Sequence, residues 1–105
     1  FCASGYFIDR ASRENDAFLD QYESSFGRHA PPLGSIAQSN YEGLRFLETV
    51  AARAGSVARK PLLSAAANAD YQGARGTIGI RRGNARMPIY LAAANGLDFR
   101  LIKQF

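Results

Sequence analysis

The sequence changes character at Tyr71, and this change limits the folds that the chain can adopt. Before Tyr71, apolar residues recur at intervals of three and four, which is typical of helices buried on one side. After it, glycines at positions 73, 76, 79 and 83 fall among β-branched residues, and short apolar runs follow. The chain has 105 residues, enough for one small domain. We therefore predict helices first and antiparallel strands after them.

The first helix is predicted over residues 13–26. Aromatic residues recur there every four positions, which places them on one face for core packing: Phe18, Tyr22 and Phe26. Ser12 or Asp9 can cap its start, because short polar side chains accept hydrogen bonds from the first backbone N–H groups. Gly27 suits its end, where a left-handed residue is common.

A second helix is predicted from Ser35 to about Ala54. Ser35 and Gln38 match a capping box, in which the two side chains satisfy each other's backbone N–H groups. Gly55 is the expected C-cap. The predicted buried stripe of this helix consists of Tyr41, Leu44, Leu47, Val50, Ala51 and Ala54.

A short third helix and then a β-meander are predicted for the rest of the chain. Pro61 fits the first turn of a helix that runs to about Ala69. Three short strands follow in an antiparallel meander, with a hairpin turn at Asn95-Gly96. The chain therefore divides into three predicted parts: a strand or extended connector over residues 1–8, a helical part over 13–69 and the β-meander over 71–105.

The residue types that carry catalysis and metal binding are scarce. One cysteine, Cys2, excludes an internal disulfide framework, and with a single histidine, His29, a Cys/His zinc site is not expected. His29 lies near Pro31, and no Gly-x-Ser-x-Gly motif accompanies it, which argues against a serine nucleophile. We predict no catalytic residue, no metal site and no cofactor, and so the chain is not expected to be an enzyme.

The net charge of +4 comes from eleven Arg and two Lys against nine Asp and Glu. Part of it is clustered in the glycine-containing stretch, at Arg75, Arg81, Arg82 and Arg86. Such a cluster can contact nucleic-acid phosphates. No aromatic residue is interleaved there to stack on bases, so a solvated hairpin face is favoured.

A small DNA-binding module is the alternative that we keep open. Helices over residues 35–54 and 61–69, joined by a short turn, would form a helix-turn-helix, with Arg81 and Arg82 on a following wing. The second of these helices is poor in side chains that read bases, which makes nucleic acid the less favoured partner.

The start of the sequence bears on its origin. The chain begins with Phe inside an apolar stretch, and no signal peptide is visible. We expect a piece of a longer protein, with a mature form trimmed of a leader as the alternative. No run approaches the ~18–20 apolar residues that span a membrane.

Six short segments form an ordered set: GYF at 5–7, NDAF at 15–18, AQSNYEG at 37–43, GARG at 73–76, PIYL at 88–91 and GLDF at 96–99. In order and spacing, this set resembles the C-terminal part of the type I periplasmic binding protein family. Its amide, urea and branched-chain amino acid binders, together with the aliphatic-amidase negative regulators, are the group most similar to it.

The resemblance implies an α/β fold, a two-lobed clamshell of which this chain is the C-terminal part. The chain of such proteins crosses between the lobes three times, and residues 1–8 would be one crossing. The helix that starts near Ser35 would present its N-terminal end to the cleft. Implied ligand-binding residues are Ile36, Gln38, Asn40 and Tyr41, where Ile36 stands at a position that is often aromatic in the family.

The implied function is recognition of a small solute, either an amide, urea or an amino acid. The protein would serve as the substrate-binding component of an ABC importer, in the periplasm or outside the cell, with a membrane permease as partner. Alternatively, it would be an amidase-type ligand-sensing regulator in the cytoplasm, with a regulatory protein as partner. The piece by itself is expected to self-associate, because apolar surface made for absent parts would be exposed.

Overall fold

The computed structural model describes residues 1–105. It contains three helices and six strands. In chain order these are β1 (Cys2–Ser4), α1 (Arg13–Phe26), α2 (Ser35–Ala54), α3 (Arg59–Ala66), β2 (Asp70–Gly73), β3 (Gly76–Arg81), β4 (Asn84–Arg86), β5 (Tyr90–Asn95) and β6 (Asp98–Gln104). The predicted order of helices before antiparallel strands is confirmed. No helix is long and apolar enough to span a membrane.

The strands form two antiparallel sheets, with the orders β2-β3-β4 and β1-β5-β6. The predicted antiparallel strands are present, but they are divided between two sheets rather than joined in one meander. Strand β1 pairs with β5 from the far end of the sequence, with Cys2 opposite Ala92, and this pairing draws the β5–β6 hairpin into a separate sheet. Pro88 lies in the connector between β4 and β5, and a residue that lacks an N–H group interrupts a ladder of backbone hydrogen bonds.

Helix α1 has the predicted bounds, and its start is fixed by a side chain. Ser12 is the N-cap, and its Oγ accepts a hydrogen bond from the Asn15 N–H at 3.2 Å. Gly27 follows the last helical residue with a positive φ of 84°, and its N–H donates to the Glu23 carbonyl. The predicted aromatic stripe is only partly correct, because Phe18 is buried whereas Phe26 is exposed.

Helix α2 also has the predicted bounds, but its interior face differs from the prediction. Leu44 is 69% exposed and Leu47 51% exposed, whereas Val50 is buried together with two polar residues, Gln38 and Glu42. The capping box is wrong as well, because Gly34 is the N-cap and Ser35 is already helical. The helix turns its polar side inward because an arginine from a distant hairpin meets it there.

The end of the helical part also differs from the prediction. Helix α3 ends at Ala66 rather than Ala69, and β2 begins at Asp70, so the turn between them lies at Ala67 and Asn68. The φ of Asn68 is +63°, a conformation that asparagine tolerates better than most residues. The predicted hairpin is confirmed, but its two-residue loop is Gly96-Leu97 rather than Asn95-Gly96, because Asn95 still pairs with Asp98; the φ of Gly96 is +68°.

Two separate small cores divide the molecule into two bodies. The helical body, made of α1–α3 and β2–β4, has a core of Tyr6, Phe18 and Ala74. The strand body, made of β1, β5 and β6, has a core of Phe7, Tyr90 and Ala92. The adjacent residues Tyr6 and Phe7 thus point into different cores. The chain passes between the bodies at this dipeptide and again in the connector from β4 to β5.

The molecule exposes more surface than a compact protein of its mass. Its accessible area is 7320 Å², against about 5,800 Å² expected for a monomer of this mass. Its radius of gyration is 15.3 Å, against about 13 Å for a compact domain of this length. An open apolar groove of about 480 Å³ lies between α2 and α3 and includes Leu47, Val57 and Leu63. This groove accounts for part of the excess.

The N-cap of α1 gives a first testable prediction. Replacing Ser12 by Ala removes the acceptor for the Asn15 N–H and should lower the free energy of unfolding by about 1 kcal/mol. Ser35→Ala is the matched control, because Ser35 starts a helix without capping it, and it should have a much smaller effect. Urea unfolding followed by circular dichroism measures both. Equal losses from the two variants would contradict the assignment.

Candidate functional site

The four predicted ligand-binding residues fall into two pairs with different surroundings. Ile36 is 81% exposed on the first turn of α2, and Asn40, four residues later, is exposed on the same side. Gln38 is fully buried. Tyr41 is half-buried, and its hydroxyl donates to the Gln21 Oε1 at 2.9 Å. The structure thus brings Ile36 and Asn40 together on one free face, and a ligand contact by any of the four stays a prediction.

Gln38 belongs to a buried cluster that is centred on Arg75. Arg75 lies at the tip of the hairpin between β2 and β3, and only 4% of it is exposed. Its Nε donates to Gln38 Oε1 at 2.9 Å and forms an ion pair with Glu42 Oε2 at 2.8 Å. Its backbone N–H donates to the other carboxylate oxygen of Glu42 at 3.2 Å. The hairpin tip is therefore held on α2 by both backbone and side chain.

The outer end of the Arg75 side chain contacts the first turns of α2 and the connector to β5. Its Nη2 donates to Ser39 Oγ at 2.6 Å and lies 3.4 Å from the Ser35 carbonyl oxygen. Its Nη1 lies 3.4 Å from Met87 Sδ. One guanidinium group thus connects the N-terminal part of α2, the β2–β3 hairpin and the segment that leads to the strand body.

The burial of this ion pair requires close packing and several hydrogen bonds. Desolvation of two charges is offset only where the geometry is good and the remaining donors find acceptors. Gly73 makes the approach possible, because a Cβ at this position would overlap the Glu42 Oε1 and the Tyr71 ring. The Gln38 Nε2 and the Glu42 Oε2 have no hydrogen-bond partner, although that oxygen lies within ion-pair distance of the Arg75 Nε, so the cluster is not fully satisfied.

A second polar network lies next to this cluster, at the start of α1. The Tyr6 hydroxyl donates to Asn15 Oδ1 at 2.9 Å, and the Asn15 amide donates to the carbonyls of Ile8 and Arg10, each at 2.8 Å. Burial raises the pKa of Tyr6 to about 12, and the negative charge of Glu42 adds to this effect. The phenol therefore stays protonated and acts as a fixed donor that orders the segment between the bodies.

Sequence reasoning did not find Arg75 and Glu42 as partners. The interpretation of the arginine cluster as a solvated face holds for Arg82 and Arg86, which are exposed, but is wrong for Arg75. Arg81 forms an ion pair with Asp70 at 2.7 Å. A usable signal is present, because the glycines at 73 and 76 make the turn around Arg75 tight, and Gln38 and Glu42 lie on one side of a helix. No group of three metal-ligating side chains occurs.

Comparison with known protein families identifies the fold. A family model described as "Periplasmic binding protein" matches residues 1–97. The chain belongs to the periplasmic binding protein family. The two-lobed type I fold that the sequence resemblance implied is thereby shown, with this chain as one part of it.

Solved structures of the family superpose on almost the whole chain. The solute-binding protein of an ABC transporter from R. palustris, in complex with benzoate, is 22% identical with a TM-score of 0.80, and the match covers 97% of this chain and 28% of that one. A protein from Rhodopseudomonas palustris BisB5, in complex with 3,4-dihydroxybenzoic acid, is 21% identical with a TM-score of 0.80, covering 98% and 30%.

A leucine-binding protein from Thermotoga maritima MSB8 is 17% identical with a TM-score of 0.74, and this match covers 97% of the chain and 29% of that protein. The chain thus spans less than a third of the length of the structures that it matches. At these identities the likeness establishes the fold. A comparison with curated protein sequences finds no significant match.

The buried ion pair gives a second testable prediction. Glu42→Gln leaves the Arg75 charge buried without an anionic partner and should lower the free energy of unfolding by about 3–5 kcal/mol. Glu48→Gln removes the exposed ion pair with Arg45 and should cost at most about 1 kcal/mol. Chemical denaturation compares the two variants with the wild type. If Glu42→Gln is as mild as Glu48→Gln, the ion pair does not hold the hairpin on α2.

The raised pKa of Tyr6 gives a third prediction. Because folding raises this pKa from 10.0 to about 12, the protonated phenol stabilises the fold fully below pH 10, and the contribution is lost as the pH rises towards 12. The lost stability is about 2 kcal/mol. In Tyr6→Phe the alkaline decrease of the free energy of unfolding should be smaller than in the wild type. Tyr22→Phe, which removes an exposed hydroxyl, should leave the wild-type decrease intact.

Proposed function

We propose that this chain is the C-terminal part of the solute-binding component of an ABC importer, and that the solute is a small amide, urea or an amino acid. The observation that carries the proposal is the match of nearly the whole chain to solute-binding proteins of ABC transporters. Those relatives are complexes with benzoate and a dihydroxybenzoic acid, and a further one is named a leucine-binding protein. Leucine is an amino acid and falls within the proposed class, whereas the benzoates share only their small size with it.

The proposed contact surface is the exposed start of α2. Ile36 supplies an apolar wall and Asn40 a polar amide, which is the combination that a small-solute cleft needs. Gly34 offers no side-chain cap, so the first N–H groups of the helix are free to donate to a ligand oxygen. Contacts by Gln38 and Tyr41 are part of the same proposal and require these side chains to leave their present partners, Arg75 and Gln21.

The proposed mechanism is closure of two lobes around the solute. A ligand that contacts both lobes stabilises the closed form by its difference in affinity for the two forms. In this proposal the chain catalyses no reaction and needs no cofactor. Its protein partner is a membrane permease, and its location is the periplasm or the outside of the cell.

The amidase-type regulator is the second candidate, with the same ligand chemistry, a cytoplasmic location and a regulatory protein as partner. The transporter proteins among the structural matches favour the importer. Nothing in the family match or the structural matches supports the DNA-binding module. The sequence upstream of residue 1 discriminates the two remaining candidates, because an exported protein carries a secretion signal and the regulator does not.

Self-association of the isolated chain is proposed from its apolar groove. Val57 and Leu63 are exposed there on α3 and the turn before it, opposite Leu47 of α2. An apolar surface of this kind is normally covered by another element of a fold. Sedimentation of the 105-residue chain tests this point, and Leu63→Asp should shift the chain towards the monomer.

Ligand binding gives the fourth prediction. In the complete protein, a bound amide, urea or amino acid should raise the melting temperature, because a ligand at one hundred times its Kd adds about 2.7 kcal/mol to the stability. Differential scanning fluorimetry with a panel of these solutes, benzoate and leucine measures the shift. A panel without any shift rejects the solute-binding proposal, and a shift by benzoate alone rejects the proposed ligand class.

The role of Ile36 is tested by the same measurement. Ile36→Asp places a charge on the proposed contact surface and should reduce the ligand-induced shift. Leu97→Asp is the matched control, because Leu97 is fully exposed at the tip of the β5–β6 hairpin, outside the proposed surface. If both variants keep the full shift, the start of α2 does not contact the solute.

A further inference from the structure

We infer that Arg10 and Tyr90 form a clasp that sets the angle between the helical body and the strand body. The inference rests on the proposed function, in which a change of angle between two parts of the fold accompanies solute binding. The two bodies have separate cores, and the chain joins them only at residues 5–9 and 87–89. Two peptide connections leave rotational freedom, so side chains that bridge the bodies decide which angle is populated.

The clasp is a small network of hydrogen bonds across the junction. Arg10, next to the start of α1, donates from Nε to the Tyr90 hydroxyl oxygen at 2.9 Å. Tyr90, the first residue of β5, donates its hydroxyl proton to the Arg75 carbonyl at 2.7 Å. The Arg10 Nη1 also donates to the Ala74 carbonyl at 2.8 Å and to the hydroxyl of Ser12. The tip of the β2–β3 hairpin is thus connected to the strand body through Tyr90.

The position of Tyr90 makes this contact specific. Its ring is buried in the strand-body core with Phe7 and Ala92, while its hydroxyl reaches the helical body. The Arg10 guanidinium carbon lies 5.5 Å from the ring centroid, so the cation also contacts the face of the ring. The Tyr90 side chain therefore contacts both bodies: its ring packs in the strand-body core and its hydroxyl binds the helical body. Removing only the hydroxyl breaks the second contact and keeps the first.

The chemistry of the clasp suits a contact that has to break and form again. No carboxylate lies within ion-pair distance of Arg10, and all its hydrogen-bond partners are neutral: Tyr90, Ser12 and Ala74. Neutral acceptors bind a guanidinium less strongly than a carboxylate does. By contrast, the nearby Arg75 is fixed by Glu42 within the helical body. The strong ion pair keeps one body rigid, and the weaker clasp holds the two bodies together.

The test measures the distance between the bodies without any ligand. Cys2 is the only cysteine, and it is exposed on β1 of the strand body. Asp20→Cys adds a second exposed attachment point on α1 of the helical body. Spin labels at these two positions, in chains diluted with an excess of unlabelled chain so that self-association adds no distances, report the distance distribution by pulsed electron paramagnetic resonance. The 105-residue chain is compared with Tyr90→Phe, Arg10→Met and a control, Tyr22→Phe, which loses a hydroxyl bonded to Pro31 within the helical body.

The clasp predicts one narrow distribution in the parent chain and in Tyr22→Phe, and broader distributions in Tyr90→Phe and Arg10→Met. A broad distribution in the parent, or a Tyr90→Phe distribution as narrow as the parent's with unchanged helix content, overturns the inference. If Tyr90→Phe loses helix content, Arg10→Lys decides. It keeps the charge, but its one nitrogen cannot occupy the positions of both Nε and Nη1, so its distribution should be broader than the parent's, and an equally narrow one overturns the inference. No ligand is present in this experiment, so a negative result rejects the clasp but not the solute-binding proposal. Conversely, a ligand panel without any shift rejects solute binding but does not change the measured distances.

Discussion

A buried positive charge at the tip of a hairpin organises the helical body. The tip is a two-residue turn, and the guanidinium of Arg75 is nearly inaccessible to solvent. Its charge is tolerable there only because Glu42 and the carbonyl and hydroxyl oxygens of α2 surround it. The pairing explains why α2 turns a polar side inward and leaves Leu44 and Leu47 exposed. It also explains the glycine at position 73, where any side chain would overlap the carboxylate.

The division into two bodies connects this local chemistry with the proposed role. In the helical body, the ion pair and the Tyr6–Asn15 hydrogen bond act within one unit. In the strand body, the packing is apolar and rests on Phe7, Tyr90 and Ala92. Rigid units joined by a narrow junction are the parts from which a hinged protein is built, because motion concentrates where few contacts oppose it. The family to which the chain belongs is consistent with this arrangement.

Local signals in the sequence predicted the helices well, because the information lies within a few residues of each end. Ser12 and Gly27 bound α1, and Gly55 bounds α2, as their capping preferences indicate. The buried face of α2 was not predictable in this way, since it depends on an arginine 37 residues beyond Gln38. The division of the strands into two sheets was not predicted for the same reason, because β1 pairs with β5 near the other end of the chain. Within the candidate site, the family resemblance predicted Ile36 and Asn40 as ligand-binding residues. The cluster around Arg75 was found only in the three-dimensional structure, because its members are distant in sequence.

The dipeptide Tyr6-Phe7 constrains the number of residues in the junction more strictly than it constrains their types. In an extended segment, neighbouring side chains point to opposite sides, and here one ring enters each core. Insertion or deletion of a single residue before Tyr6 would exchange the two sides, so that a phenol would enter the apolar core and Asn15 would lose its donor. Substitution of either residue by another aromatic residue keeps one ring in each core, whereas a shift of the segment by one residue does not. Homologous chains should therefore differ in the residue types of this segment but not in its length.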